Sequence, residues 1–269
     1  MMKVFKELMK KSYDFNEVNY DNDWKWQLLS ELYDKNFIDT KDRNYNILPK
    51  KIHQIWLGSE LPEQYKKWAD TWKQFNPDWE YKLWTDDNLD EVDIENREQF
   101  NTITNMGQKS DYLRYHILNQ FGGIYADTDM QCCKSFDTLS YVNFLIGVGY
   151  LSKVELYTNI IGCTAGHPIM SQAVKTMNLD RIVKKGWQGI FETTGGYFFT
   201  DVFFSIVKTY IKDVLVFPPD YFCPFPNQGD YYLNRAEDFI QEHSYALHHW
   251  ACSWIPNLKE KRYGIHTRK

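Results

Sequence analysis

With 269 residues, 43% of them hydrophobic and 25% charged, the chain can bury a substantial core, as one large α/β domain or two small ones. A net charge of −5 argues against a general nucleic-acid binder, which needs a basic footprint, and no apolar run approaches the length of a membrane span. Aromatic content is high, 17% with 10 Trp and 19 Tyr; most of these rings belong in a core, but the excess is compatible with a saccharide or nucleotide site.

In chain order, residues 1–48 read as a helical N-terminal extension in which Trp24, Trp26, Leu28, Leu29 and Leu32 supply an apolar face. Its start, 1–12, carries lysines but no uninterrupted apolar core, so no signal peptide is expected. Val4, Phe5, Leu8 and Met9 set against Lys3, Lys6, Lys10 and Lys11 make an amphipathic pattern. The expectation is an ordinary packed helix, with peripheral association at the inner face of a membrane as the alternative. The five cysteines form no C-x-x-C pair, and Cys132 beside Cys133 is not a usual disulfide framework. A scattered odd set points to reduced thiols and a cytoplasmic protein.

The second unit, 49–269, opens on a buried strand over 51–58 that ends in a glycine turn. Pro62 starts a helix to about Phe75. Residues 79–84 alternate as a strand, and Thr85 is expected to cap a short acidic helix. A helix over 106–121 is the clearest in the chain, stopped by Gly122-Gly123. Strands follow at 123–126, 144–148 and 156–163, a helix at 168–184 and another at 197–210. A proline-rich loop covers 218–226, and 245–249 is a last short strand. This succession points to an α/β sandwich around a mostly parallel sheet.

Asp127 and Asp129 follow the 123–126 strand one residue apart. In an extended strand such residues point to the same side, and two carboxylates that close are stable together mainly with a cation between them. Oxygen ligands at this spacing suit a hard ion, Mg²⁺ or Mn²⁺, although an acidic turn after an edge strand is the commoner explanation of such a pair alone. Upstream, Asp111 and Arg114 share a helix face; together they can accept from and donate to sugar hydroxyls, or form a surface ion pair worth little.

Five segments occur in one order and spacing: Pro-Lys-Lys-Ile-His-Gln-Ile-Trp-Leu-Gly (49–58), Leu-Trp-Thr-Asp (83–86), Ser-Asp-Tyr-Leu-Arg-Tyr-His-Ile-Leu (110–118), Gly-Gly-Ile-Tyr-Ala-Asp-Thr-Asp (122–129) and His-His-Trp-Ala-Cys-Ser-Trp (248–254). In them the chain resembles the DXD-containing glycosyltransferases of family 32, and more distantly the glucosylating domains of large clostridial toxins, over roughly 49–254. The resemblance implies a GT-A-like Rossmann-type nucleotide-sugar-binding fold with a mixed, mostly parallel central sheet flanked by helices. It implies that Asp127 and Asp129 hold Mn²⁺ or Mg²⁺ against the diphosphate of a nucleotide-sugar donor, a UDP-sugar being favoured. Asp111 and Arg114 would grip the donor sugar. Tyr125, His53, Gln54 and Trp56 would lie at the nucleotide, although core packing for Trp56 and a satisfied buried imidazole for His53 are reasonable readings of those residues.

Ser253 and Trp254 match an element that closes over the diphosphate. His248 matches a third metal or phosphate ligand, with His249 as its alternate, since neighbouring strand residues face opposite sides. One departure is Thr194-Gly195-Gly196, where related sequences often carry Thr-Gly-Pro. Acceptor contacts are expected around Asn159, Glu192, Thr193, Thr194 and Tyr221. The implied activity is metal-dependent transfer of a hexose, with retention of configuration, to a glycan acceptor such as a surface polysaccharide. A nucleotide-sugar hydrolase and a non-catalytic carbohydrate-binding protein are the other classes, and a toxin-like protein glucosylation is a narrower rival.

Overall fold

The computed structural model describes residues 4–10, 22–40, 47–149, 153–178, 187–212, 214–226 and 230–254. Before the sheet lie α1 (Phe5–Met9), α2 (Trp24–Tyr33) and a π-helical turn, Asp34–Ile38. Strands and helices then follow as β1 (Lys51–Ile55), α3 (Glu63–Phe75), β2 (Glu80–Trp84), α4 (Arg97–Thr102), α5 (Met106–Phe121), β3 (Gly123–Ala126) and β4 (Met130–Cys132). The remainder is β5 (Phe144–Val148), β6 (Leu156–Cys163), α6 (Pro168–Thr176), α7 (Trp187–Thr193), α8 (Gly196–Ile206), β7 (Val214–Phe217) and β8 (Ala246–His248).

Six strands form one sheet in the order β2-β1-β3-β6-β5-β7, while β4 and β8 pair separately. Pairs β1–β2, β1–β3 and β5–β7 are parallel, and β6 runs against both its neighbours. The fold is therefore the mixed, mostly parallel α/β arrangement expected. Reversal of β6 has a consequence for function. Its first residues lie beside the carboxyl end of β3, the end at which open α/β sheets place their ligands.

The two glycines after α5 are required by space as well as by conformation. Gly122 (φ 61°) and Gly123 (φ 92°) have left-handed backbones, and a Cβ would lie 2.6 Å from Ala165 N or from Lys51 O. They let the chain leave α5 and enter β3 with no connecting loop. The helix itself is started by Asn105, whose side chain accepts from Gln108 N at 3.0 Å.

Several boundaries differ from the sequence reading. Thr85 caps no helix: its backbone N–H donates to Asn88 Oδ1 (2.9 Å), and a single 3₁₀ turn, Leu89–Glu91, follows. Asparagine wins because its amide can mimic a backbone turn. Helix α6 stops at Thr176; the expected continuation lies partly outside the described residues. The last strand is trimmed to Ala246–His248.

The helical segment before Pro49 shares its core with the sheet. Tyr33 and Phe37 pack on Phe217 of β7, and Tyr33 Oη lies 2.7 Å from Tyr221 Oη. Trp26, Leu29 and Tyr33 are fully buried, each worth about 2 kcal/mol of apolar burial. Among the described residues no helix is long and apolar enough to cross a membrane.

Candidate active site

At the carboxyl end of β3 the chain makes a tight turn rather than continuing as a strand. Asp127 N donates to Asn159 O of β6 (2.8 Å), and Met130 N donates back to Asp127 O (3.0 Å). Asp127 and Asp129 sit in this turn, so their shared direction comes from turn geometry and not from strand alternation. Gln54, near the end of β1, donates to Asp127 O at 3.0 Å and is itself fixed by Tyr81 Oη at 2.6 Å.

One flank of the pair is built by α5. Arg114 Nη2 lies 2.9 Å from Asp111 Oδ1 and 3.2 Å from Asp127 Oδ1. Its Nη1 donates to Thr158 O (2.7 Å) and Thr158 Oγ1 (3.1 Å). The guanidinium lies over Tyr125 at 4.5 Å, and Tyr125 Oη donates to Asp127 Oδ1 at 2.6 Å. Thr194 Oγ1 completes Asp111 at 3.0 Å. The i,i+3 pair foreseen from the helix is thus buried and three-membered, which removes the solvent screening that makes surface pairs weak. Arg114 Nε is buried with no hydrogen-bond partner among the described residues. An unmatched buried donor costs about 1–3 kcal/mol.

The other flank comes from the C-terminal strand. Register Met130↔His248 in the β4–β8 ladder brings residues 118 positions apart together. His248 Nε2 lies 3.1 Å from Asp129 Oδ1, and Ala251 N donates to Asp129 Oδ2 at 2.8 Å. His249 faces away, its Nε2 2.9 Å from Gln131 Oε1 and its ring stacked on Trp68 with centroids 4.3 Å apart. His248, the last residue of β8, thus turns to the acid pair, and His249, just past the strand, turns to the other side. Immediately beyond, Trp250 (φ 53°) and Cys252 (φ 48°) adopt left-handed backbones, each costing on the order of 1–3 kcal/mol for a side-chain-bearing residue. That strain folds the segment back so that Ala251 N reaches Asp129.

Electrostatics differ across the pair. Burial pushes the Asp127 carboxyl up, partly opposed by Arg114, and the neighbouring Asp129 charge adds to the rise. Burial acts on Asp129 as well, but the His248 charge and hydrogen bond, with Ala251 N, carry it below the usual carboxylate range. Burial pulls His248 down, yet Asp129 outweighs it and holds the imidazole well above its ordinary value. Asp111 is pushed up to about 6 by burial, with Arg114 opposing. His249 is lowered to about 4 by burial. Asp127 is the most open of the group, with 26% of its side chain exposed against 12% for Asp129 and 9% for His248. Ligand atoms of Asp127, Asp129 and His248 all lie within 4.8 Å of one another. Two carboxylates and an imidazole at that spread are a donor set suited to Mn²⁺ or Mg²⁺.

The other expected residues divide. Gln54 and Tyr125 contact Asp127. Trp56 lies just past β1 in a small aromatic cluster with Tyr65, Trp68 and Ala251, on the Asp129 side. Trp254 covers the first turn of α5, where a Cβ on Gly107 would meet its ring at 2.6 Å, and faces Phe191 at 6.2 Å; half-buried Ser253 precedes it. His53 is not brought to the site. Its Nδ1 accepts from Trp84 Nε1 (3.2 Å) and its Nε2 lies 2.9 Å from Gly122 O, with burial lowering its pKa to about 4. Strand alternation turns it to the face opposite Gln54.

Tyr221 is likewise absent from the site, buried in the core against Tyr33. Thr194 is buried on Asp111, Thr193 is half-buried, and Glu192 is exposed near α8. Two residues escaped the sequence reading. Thr158 locks Arg114 through a long-range contact. Glu155 is 2% exposed with Oε1 unpartnered, and burial raises its carboxyl to about 7. A Cβ on Gly196 would lie 2.7 Å from that oxygen, the end of a side chain that would have to turn aside for it.

Comparison with known proteins places this site in context. Residues 62–145 match the family model described as glycosyltransferase sugar-binding region containing DXD motif, so both acids lie inside the matched region. Inositol phosphoceramide mannosyltransferase 3 of Schizosaccharomyces pombe is 33% identical over 137 residues, 48% of this chain and 37% of that protein. An uncharacterized glycosyltransferase of Acanthamoeba polyphaga mimivirus is 26% identical over 79% of this chain and 86% of its own. The chain spans well under two thirds of the fission-yeast relative's length. Among solved structures, the UDP-bound glycosyltransferase domain from the YGT toxin aligns over 73% of this chain and 87% of its own, at 10% identity and TM-score 0.49.

Proposed function

Starting from a chain that carries a DXD-containing glycosyltransferase sugar-binding region, we propose that the protein moves a hexose from a nucleoside-diphosphate sugar to a glycan acceptor, in a metal-dependent reaction that retains anomeric configuration. The observation that carries this reading is the joining of two pairs into one buried cluster: Asp111–Arg114 meets Asp127 at 3.2 Å, and Asp129 meets His248 at 3.1 Å. A divalent cation held by Asp127, Asp129 and His248 would supply charge neutralisation to the departing diphosphate.

Each remaining residue has a role that follows from its contacts. Arg114, clamped by Thr158 and both acids, fixes the carboxylates that would face the donor sugar. Asp111 supplies the acceptor for a sugar hydroxyl; together they hold C1 toward the incoming nucleophile. Positive charge develops on the sugar ring as the bond to phosphate breaks, as in glycoside hydrolysis, and Asp111 and Asp127 sit where that charge is favoured. With same-face attack, the acceptor hydroxyl passes its proton to the leaving phosphate oxygen, so no separate base is required. The five scattered cysteines with no C-x-x-C pair support a reducing, cytoplasmic setting, and a surface polysaccharide is the favoured acceptor class. The relative's name adds mannose and inositol phosphoceramide as a donor-acceptor pair to include.

The test is a panel of UDP- and GDP-hexoses with Mn²⁺, Mg²⁺ or chelator, with products separated in the presence of candidate acceptors. Cation-dependent donor consumption with a glycosylated product is expected. Free hexose alone, acceptor present, would instead support the hydrolase. Glycan affinity that survives chelation, without donor turnover, would identify a binding protein.

A further inference from the structure

Asn159 occupies a place that the donor site alone does not explain. It lies on β6, 6% exposed, and its backbone carbonyl already anchors Asp127 N. Its side-chain Nδ2 is 2.9 Å from His248 Nδ1 and 3.0 Å from Cys223 Sγ, while its Oδ1 is buried with no partner among the described residues. One residue thus ties the backbone of the first acid to the back of the histidine that faces the second.

The amide orientation bears on the chemistry of that histidine. With Nδ2 toward the ring, Nδ1 could serve only as an acceptor, a role open to it only in a neutral imidazole whose proton sits on Nε2, pointing at Asp129 Oδ1. A cation bound at Nε2 needs that nitrogen's lone pair, so the ring proton has to lie on Nδ1, where it requires an acceptor. The two ends of an amide are nearly isosteric, and which is oxygen is decided by the hydrogen bonds it makes. Turned by 180°, the same side chain offers one oxygen to both His248 Nδ1–H and the Cys223 S–H.

We propose that Asn159 is the positioning residue of the cation site, its amide oxygen holding His248 in the tautomer that leaves Nε2 free to ligate. The inference rests on the reading that Asp127, Asp129 and His248 bind a divalent ion, and Asn159 itself touches neither the ion nor the donor.

The experiment is Mn²⁺ titration of the full chain without nucleotide, followed by the EPR signal of free Mn²⁺, for wild type, Asn159→Ala and Asn159→Asp. Loss of the acceptor in the alanine variant is expected to weaken Mn²⁺ by about 10- to 100-fold, the usual effect of removing a partner behind a ligating histidine. Aspartate, which can only accept, should recover most of that affinity. Equal affinity in wild type and Asn159→Ala, or an aspartate variant as weak as alanine, overturns the proposal while leaving the cation site standing. Absence of Mn²⁺ binding by wild type overturns both.

A second measurement needs no variant. In ¹⁵N-histidine-labelled protein loaded with diamagnetic Zn²⁺ as probe, the His248 proton should correlate with Nδ1. Its appearance on Nε2 contradicts the proposal even if the alanine chain fails to fold.

Discussion

The two flanks of the acid pair solve one problem by opposite means. On the α5 flank a permanently charged guanidinium is buried among Asp111, Asp127 and Thr158, and Asp127 still ends above its ordinary pKa because burial dominates. On the β8 flank a titratable imidazole and one backbone N–H suffice to carry Asp129 below the usual range. Under the proposed function, a fixed charge would suit a group that holds a neutral sugar, and an exchangeable proton a position where a cation replaces it. On that reading the choice of partner separates sugar-holding from charge-handling within two residues of sequence.

Substitutions can break this contrast, starting with the largest effect. Asp129→Ala should abolish Mn²⁺-dependent donor binding in calorimetry; unchanged donor affinity would remove the acid from the site. Arg114→Ala leaves Asp111 and Asp127 buried without their cation, and should cost about 3–5 kcal/mol in denaturant unfolding. It should also weaken the full donor more than the bare nucleoside diphosphate, whereas equal weakening of both would remove the sugar-gripping role.

Glu155 sharpens the comparison as a buried carboxyl whose Oε1 has no hydrogen-bond partner among the described residues. Its pKa is raised from 4.5 to about 7 by burial, with Lys153 opposing. Between those values the folded state holds a proton that the unfolded chain has released, so its contribution to stability falls as pH rises through that window. The total is about 3 kcal/mol at most. Glu155→Gln should therefore match wild type near pH 4.5 and exceed it above pH 7.5 in thermal unfolding, and a parallel pH dependence in the two proteins would refute this. The smallest effect belongs to His249→Ala, which should change Mn²⁺ affinity by less than about threefold, because its ring is committed to Gln131 and Trp68.

How much of this was legible beforehand follows from the range of each interaction. Asp111, Arg114, Asp127 and Asp129 lie on one helix, one glycine stop and one short strand, so local geometry placed them near one another. His248 was legible only through resemblance, since its approach depends on the β4–β8 register. His53 was misplaced because strand alternation sends it to the face opposite its neighbour Gln54, and nothing local says which of the two faces the donor. Tyr221 was misplaced because the segment before Pro49 supplies Tyr33 as its partner. Thr158 and Glu155 carried no signal at all. Both matter through the reversed strand β6, and strand direction is a tertiary property that periodicity does not encode.

The close approach of Gly196 to Glu155 bears on which substitutions the chain accepts. Proline, like any residue with a Cβ, would put an atom 2.7 Å from the Glu155 carboxylate at position 196. The contact is with the far end of a flexible side chain, so a Cβ at 196 asks the buried Glu155 to turn aside, and the two positions are coupled to the extent that its packing resists this. A graft of proline into this background should be milder alongside Glu155→Ala, and an equal loss of stability in both backgrounds would show that the acid moves freely.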